Sequence, residues 1–599
     1  MTAPSPVQLS GAVVGVAIIA NGAALDSAWQ VVAVDVWAGV NKLPKARVVI
    51  SDGSPNEQTF AISETNALIP GKTLTIALGD ADNQTQVFSG LIYRQGLEVT
   101  DNGPSRLVVE ATDQAMAMTL ARQNAVFEQM TDSQVIEKLI SGAGLSPMVT
   151  ATSAVQPVIV QYYASSWDLM LIRAQINGMV VIAAGGKVTV APPDTSKPPV
   201  LSLTYGESIL DFRAAMDAST QYRASAIQSF AWDPATQKIA QSGNASASVS
   251  EPGNLTSDDL AKVFGIAQFP QQTAGSVAKD DLTGWSSAEL LKARLAKIRG
   301  EIRFTGSALA VPGCMVTLAG LGDRFNGNAY VSGVHHHVAE GLWRTNAEIG
   351  LSPNWFAAAA DDVEAPAAAG LLPAISNLQT GIVQKLDADP DGEFRVQVTL
   401  PLLQAGTSGI WARLGSFYAS NGIGAEFYPE IGDEVVVAFM NGDPRFPVIL
   451  GSLYSKKNPP PVPPAAANNQ KSIVTRAKLR IDFFEDLPAV EISTPGKQSV
   501  RLDDKAGTIV IKDKNSNTIT MAAAGITIDS GAKITMNAKT DIAITAQGKL
   551  SLKGTAGVAI AGLTIKADAD TSFAAQGAAE AKLTSSAMVT IQGGLVKIN

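Results

Sequence analysis

Residues 525–560 read GITIDSGAKITMNAKTDIAITAQGKLSLKGTAGVAI. Apolar residues stand here in pairs at i and i+2. Each pair follows the last by eight residues: Ile526/Ile528, Ile534/Met536, Ile542/Ile544, Leu550/Leu552 and Val558/Ile560. The series slips by one residue near Gly562 and resumes with Ile565/Ala567, Phe573/Ala575, Ala581/Leu583 and Val589/Ile591. Successive side chains of a strand point to opposite sides, so an i, i+2 pair is one face of a short strand. The Gly, Ser, Thr, Asp, Asn, Lys and Ala residues between pairs supply corners. Such a unit buries its apolar face only by stacking on neighbours. Two small apolar residues per strand make no core within one chain. The pattern therefore predicts an intertwined triple-stranded β-helix of three identical chains, its paired residues facing a shared axis. A single-chain β-helix with three units to a coil also fits the period, but no longer repeat overlies the short one.

Less regular pairs carry the pattern backward: Val490/Ile492, Val500/Leu502, Ile509/Ile511 and Ile519/Met521. With these, about thirteen or fourteen strands stacked at ~4.8 Å make a rod roughly 60–65 Å long.

The remainder of the 599 residues is long enough for three or four domains with their own cores. The net charge of −9 and the lack of a basic block argue against nucleic acid and anionic membranes as partners. One cysteine, Cys314, excludes an internal disulfide and fits a reducing compartment. The apolar run 11–20 resembles a signal-peptide core but has no basic residue before it, and reads as a strand. No apolar run is long enough to span a bilayer.

Taken in order, residues 1–120 read as β, with alternating runs at 29–37, 46–50, 73–78 and 106–110. Residues 121–199 read as a small α+β insertion. Thr131 and Gln134 have capping-box spacing ahead of a helix that carries Val135, Ile136, Leu139 and Ile140, and a second helix runs from 167 to Gly178. Residues 200–356 return to strands, with a helix expected near 287–299. Ile69-Pro70-Gly71 followed by Phe88-Ser89-Gly90-Leu91-Ile92 parallels Val311-Pro312-Gly313 followed by Val331-Ser332-Gly333-Val334-His335. The Pro-Gly to Ser-Gly distance is nineteen residues in one and twenty in the other. Two copies of one β domain per chain follow, hence six in a trimer, which would let a three-fold body dock on a six-fold ring. Residues 357–372 are an Ala-rich linker. Residues 373–457, with five or so short strands and Gly/Pro turns, read as an OB-fold barrel. Its carboxylates outnumber its basic residues, against an oligonucleotide site. A Pro-rich hinge at 458–470 precedes the spike at 471–599.

Within the barrel, residues 429–439 read PEIGDEVVVAF, then Asn441-Gly442-Asp443-Pro444, Pro447-Val448 and Gly451. This run, with Pro429, Gly432, Glu434, Gly442, Asp443, Pro444 and Gly451 as its markers, resembles the OB-domain signature of VgrG-type hub and spike proteins. The order agrees: two tube-type β domains with an insertion, an OB barrel, then an octad β-helix. The resemblance implies a homotrimer at the tip of the inner tube of a contractile injection machine (phage baseplate, type VI secretion or an extracellular phage-tail-like system). Such a trimer pierces a target envelope mechanically when a sheath contracts. It further implies contacts with inner tube and baseplate proteins, effector cargo, and a cone-shaped PAAR-type tip protein seated on Leu595, Val596 and Ile598, where apolar side chains and open strand edges need a cover. Assembly in the bacterial cytoplasm without a signal peptide, in a particle open to release outside the cell, completes the expectation. No room exists between barrel and spike for the lysozyme domain of some phage spikes.

Three features invite chemistry. His335-His336-His337 places His335 and His337 on one strand face and His336 on the other, but no nearby Cys or third same-face ligand completes a metal site. A structural or subunit-contact role is expected. Cys314 reads as a buried thiol rather than a nucleophile. The carboxylate pairs Asp361/Asp362, Glu485/Asp486 and Asp503/Asp504 read as solvated. No catalytic residue, cofactor or metal is expected. The rivals are a polysaccharide hydrolase with a β-helical body and a trimeric adhesin or fibre stalk.

Overall fold

The computed structural model describes residues 3–9, 13–101, 103–403 and 409–598, so the first residues of the 11–20 run lie outside the described part. The chain divides into two compact units, Met1–Leu453 and Tyr454–Asn599.

The alternating runs of the first unit become β1 (Val14–Ala20), β2 (Val31–Gly39), β3 (Lys45–Ser51), β4 (Thr73–Asp80), β5 (Gln84–Glu98) and β6 (Arg106–Thr112). After the insertion come β7 (Ile209–Met216), β8 (Ile298–Thr305), β9 (Met315–Ala319), β10 (Gly327–Ala339) and β11 (Leu342–Ile349). Both sets join one 13-stranded sheet, ordered β7-β8-β11-β10-β2-β3-β6-β5-β4-β1 with β9 beside β10, and the short strands Ala23–Ala24, beside β1, and Leu201–Thr204, beside β9, complete it. The β2–β10 ladder is the seam between the halves. Each half keeps its own core. Val36, Ile50, Leu74, Ile76 and Leu107 are buried on one side of the seam, and Leu203, Ile302, Phe304, Val316 and Ile349 on the other.

The two halves do repeat one hairpin, in a register four residues from the one that Ser-Gly alignment gives. Gly71 donates its N–H to Ile92 O (2.8 Å) and Ile92 donates to Lys72 O (2.8 Å). In the second half Gly313 donates to Val331 O (2.8 Å) and Val331 to Cys314 O (2.9 Å). A bulge follows in each, between Ile92 and Arg94 and between Val331 and Gly333. Ile92 thus corresponds to Val331, not to His335. The positively twisted Gly of each Pro-Gly turn (φ +92° and +85°) anchors the hairpin, while its loop length varies.

The insertion forms as expected at its first helix, Asp132–Gly142. Thr131 N–H donates to Gln134 Oε1 (2.9 Å) and Gln134 N–H to Thr131 Oγ1 (3.3 Å). Its second helix, Ser166–Ile176, is capped by Ser165 and followed by Gly178 at φ +66°. The helix expected near 287–299 instead spans Lys279–Leu295. Acidic Asp280 and Asp281 suit its first turn, and residues from Ile298 onward belong to β8. A helix the sequence reading missed, Ser257–Phe264, opens on a capping box of Thr256 and Asp259.

Within the same unit a closed five-stranded barrel forms from β12 (Gln379–Lys385), β13 (Val396–Thr399), β14 (Ile410–Leu414), β15 (Glu434–Phe439) and β16 (Pro447–Ser452). Val383, Val396, Val398, Val435, Val437 and Ile449 fill it. Phe394, two residues ahead of β13, has φ +60° and an exposed ring.

The second unit carries seven strands: β17 (Gln470–Val474), β18 (Arg480–Phe484), β19 (Ala489–Ser493), β20 (Ser499–Asp503), β21 (Thr508–Lys512), β22 (Thr518–Ala522) and β23 (Gly525–Asp529). They form an antiparallel meander in chain order. Among the described residues beyond Asp529 no further strand forms, so the expected open strand edges at the terminus are absent there. Neither are there ladders between units three apart, which a single-chain β-helix requires. An octad can hydrogen-bond only to another strand, and this chain by itself offers none past β23.

Candidate oligomerisation surface

The register of the meander sorts its residues onto two faces. Ile481 opposes Ile492, Val490 opposes Leu502, Val500 opposes Ile511, Ile509 opposes Met521, and Ile519 opposes Ile528. Every apolar pair named from the sequence between 490 and 528 therefore falls on one face. The opposite face carries paired charges, with Phe484, Ala489 and Val510 among them. Arg501 bridges Glu491 (3.0 Å) and Asp503 (2.9 Å), and Arg480 Nη2 donates to Asp482 Oδ1 (2.7 Å). Asp503, expected to be merely solvated, also caps a turn by accepting from Ala506 N–H (2.8 Å).

Among the described residues nothing covers the apolar face, which holds a shallow trough whose lining includes Ile492, Val500, Ile511, Ile519, Ile528 and Ile534. Leu502 remains 44% exposed, Ile526 68% and Ile542 53%. Met536, Ile544, Leu550, Leu552, Val558, Ile560, Val589 and Ile591 are exposed as well. Among the described hydrophobic residues of 470–598 only Ala489 is buried. A sheet with one apolar face in water, extended by sixty-odd residues of the same alternation, is an unfinished core. The terminal Leu595, Val596 and Ile598 are exposed in the same way, and Asn599 lies outside the described residues.

The barrel motif is a set of turn and closure residues. Pro429 is buried at the start of the turn. Gly432, at φ +89°, donates to Val383 O (2.9 Å), and Glu434 O accepts from Leu453 N–H (2.9 Å) as β15 begins. Gly442 (φ +68°) accepts from Ile375 N–H (2.8 Å). Asp443 accepts from Arg445 N–H (2.9 Å) and Nη2 (2.6 Å), and the Arg445 guanidinium holds its carboxyl below the ordinary range. Pro444 completes that turn, and Gly451 pairs with Val436. These residues build the turns and closure of the barrel.

The histidine run lies on β10. His336 points inward and is buried, its Nδ1 2.9 Å from Thr345 Oγ1, and burial lowers its pKa to about 4. His335 and His337 share the outer face as expected. The sequence reading missed what stands between them: Asp35 of β2, whose Oδ1 is 2.8 Å from His335 Nε2 and 2.7 Å from His337 Nδ1. A third same-face group therefore exists, across the seam rather than nearby in sequence. Cys314 is buried, and burial pushes its thiol pKa up.

Residues 10–340, over half the chain, match the family described as the Alg8 N-terminal domain. Residues 379–454 match the type VI secretion system/phage-baseplate injector OB domain, and residues 489–551 the phage baseplate V C-terminal trimerisation domain. The type VI secretion system spike protein VgrG4b of Pseudomonas aeruginosa is 33% identical over 94 residues, 14% of this chain and 12% of that protein. VgrG1a of the same organism is 24% identical over 225 residues, 35% of this chain and 32% of that protein. The matches thus span a third or less of the length of these relatives. Among solved structures, a tail protein of Neisseria meningitidis MC58 has a TM-score of 0.42 at 13% identity, over 57% of this chain and 98% of that one. A type VI secretion component of E. coli has a TM-score of 0.36 at 14% identity, over 73% and 99%.

Proposed function

The chain belongs to the family of the Alg8 N-terminal domain, in the VgrG-type order of hub, injector OB domain and trimerisation domain, and from that premise we propose that it is the trimeric hub and spike of a contractile injection machine. The observation that carries the reading is the bare apolar face of the seven-stranded meander, continued at eight-residue spacing, with one slip near Gly562, from Ile526 to Ile591. Three copies turn those faces toward one axis. Each then gains the burial it lacks alone, about 25 cal/mol per Å² of apolar surface removed from water. The match to a trimerisation domain at 489–551 supports the copy number.

In this proposal the domains divide as the sequence reading set them, from the first tube-type domain at 1–120 to the spike at 471–599. Ile526, Ile528, Ile534, Met536, Ile542, Ile544, Leu550, Leu552, Val558, Ile560, Val589 and Ile591 form the spike core. Two hairpin copies per chain give a trimer six ring segments, which fit a six-fold inner tube. Force from the contracting sheath passes to the envelope through a narrow rod whose hydrogen bonds run between chains. Leu595, Val596 and Ile598 seat a PAAR-type tip protein. Baseplate proteins and effector cargo complete the partner set, and the particle assembles in the bacterial cytoplasm. The chain is read as mechanical, with no catalytic step.

Light scattering of the purified full chain tests this: a mass of three copies is expected, and a stable lone polypeptide with a protease-resistant tail overturns it. The hydrolase alternative predicts soluble fragments from peptidoglycan incubated with the protein. The adhesin alternative predicts labelled protein on side fibres rather than on the tail axis.

A further inference from the structure

All three histidines of the chain sit in one strand at 335–337, and two of them converge on one carboxylate from the other half of the sheet. His337 lies directly opposite Asp35 in the β2–β10 ladder, and His335 opposite Trp37. The Trp37 ring stacks on His335 at a centroid distance of 4.7 Å and an angle of 14°, which fixes the imidazole plane. His335 Nε2, His337 Nδ1 and an Asp35 carboxylate oxygen all lie within 4.8 Å of one another. We propose that Asp35, His335 and His337 form a binding site for a divalent transition metal, zinc by preference, which clips the two halves of the sheet at their seam. The site stands apart from the spike reading, and either can fail without the other.

The donor set decides the class of ion. Two imidazole nitrogens and one carboxylate suit zinc, cobalt or nickel, whereas calcium and magnesium take oxygen ligands. Tetrahedral zinc bonds of ~2.0–2.2 Å place the ligand atoms about 3.3 Å apart. The two short contacts to Asp35 open by about half an ångström to admit the ion, a shift that half-exposed imidazoles make without disturbing the backbone ladder. Three protein ligands leave one position open. It faces a cavity of about 380 Å³ lined by Asp211, Arg213, Glu301, Arg303, Arg344 and Asn346. Arg303 is held by Asp211 at 3.2 Å. The arginines favour an anionic fourth ligand, hydroxide or a carboxylate, over a neutral one. The clip is placed where it has most to hold, because the β2–β10 pairing is the seam between two separately cored halves.

The test uses the full chain stripped of metal and titrated with cobalt(II), with zinc added in competition. Expected are one equivalent per chain, the strong visible absorption of tetrahedral cobalt, and its displacement by zinc. His335→Gln and His337→Gln should each weaken binding at least tenfold, as should Asp35→Asn. X-ray absorption of the zinc-loaded wild-type protein should count two imidazoles per metal, a reading that does not depend on any variant folding. Absence of tetrahedral cobalt absorption overturns the site and leaves a hydrogen-bonded cluster only. So does binding that survives the double His335→Gln/His337→Gln substitution, or a zinc shell without imidazole.

Discussion

Lys297 is among the largest fully buried side chains of the described residues, and its Nζ donates to Glu251 Oε2 (2.9 Å) and to Leu255 O (2.9 Å). Glu251 also accepts from Ser257 N–H (3.1 Å) and Oγ (2.6 Å), at the start of helix Ser257–Phe264. Glu251→Ala leaves an ammonium buried and unpaired, and should cost about 3–5 kcal/mol in urea unfolding. Adding Lys297→Met to that variant should return much of the loss. On the spike's polar face, Asp482 is held at about 2, below its ordinary 3.8, first by the Arg480 guanidinium and then by Ser472 and Gln470, with burial opposing. The folded chain thus binds fewer protons there than the unfolded chain between those values. The stabilisation is present above about pH 4 and disappears as pH falls toward 2. Asp482→Asn should flatten that part of the acid-unfolding profile. Residue-scale chemistry was partly legible in the sequence. The period of two assigned the faces of His335, His336 and His337, but Asp35 is 300 residues from His335 and only the fold brings it there.

At the scale of elements, local rules read well where the residues that decide an element lie inside it. The Thr131/Gln134 box, the Gly178 stop and the five barrel strands are of that kind. The same rule was available at Thr256 and Asp259 and went unused. The hairpin repeat failed in register because its loop lengths differ, so Ser-Gly marks that agree in spacing sit at different ladder positions. The Pro-Gly turns are the shared part, and they yield a prediction. Ala at either glycine forces a side chain into the left-handed region, at roughly 1–2 kcal/mol. At Gly71 a Cβ meets nothing within 4 Å, whereas at Gly313 it stands 2.8 Å from Ile182 Cδ1. Gly313→Ala should therefore lower the midpoint of thermal unfolding more than Gly71→Ala. In the spike, Ile542→Asp places three carboxylates at one level of the proposed axis, each costing several kcal/mol to bury. Size-exclusion chromatography with light scattering should find its trimer lost while the hub's circular dichroism persists. Normal assembly of that variant would contradict the inward assignment.

At the scale of the molecule, the two units differ in how they satisfy the hydrophobic effect. Residues 1–453 hold several separate cores, while the described part of 470–598 buries one hydrophobic residue, Ala489. The eight-residue period announced this, because it placed apolar residues where one chain has no partner for them. The period could not announce the 13-stranded sheet, whose joining ladder pairs strands three hundred residues apart. If the spike core exists only between copies, its unfolding releases subunits, and mass action ties its midpoint to concentration. Calorimetry of the full chain over a hundredfold range of concentration should move the spike transition upward with each increase. A spike cored within one chain would melt at a fixed temperature. The two outcomes separate an intertwined spike from a solitary coil, because only an interchain core couples its melting to the release of subunits.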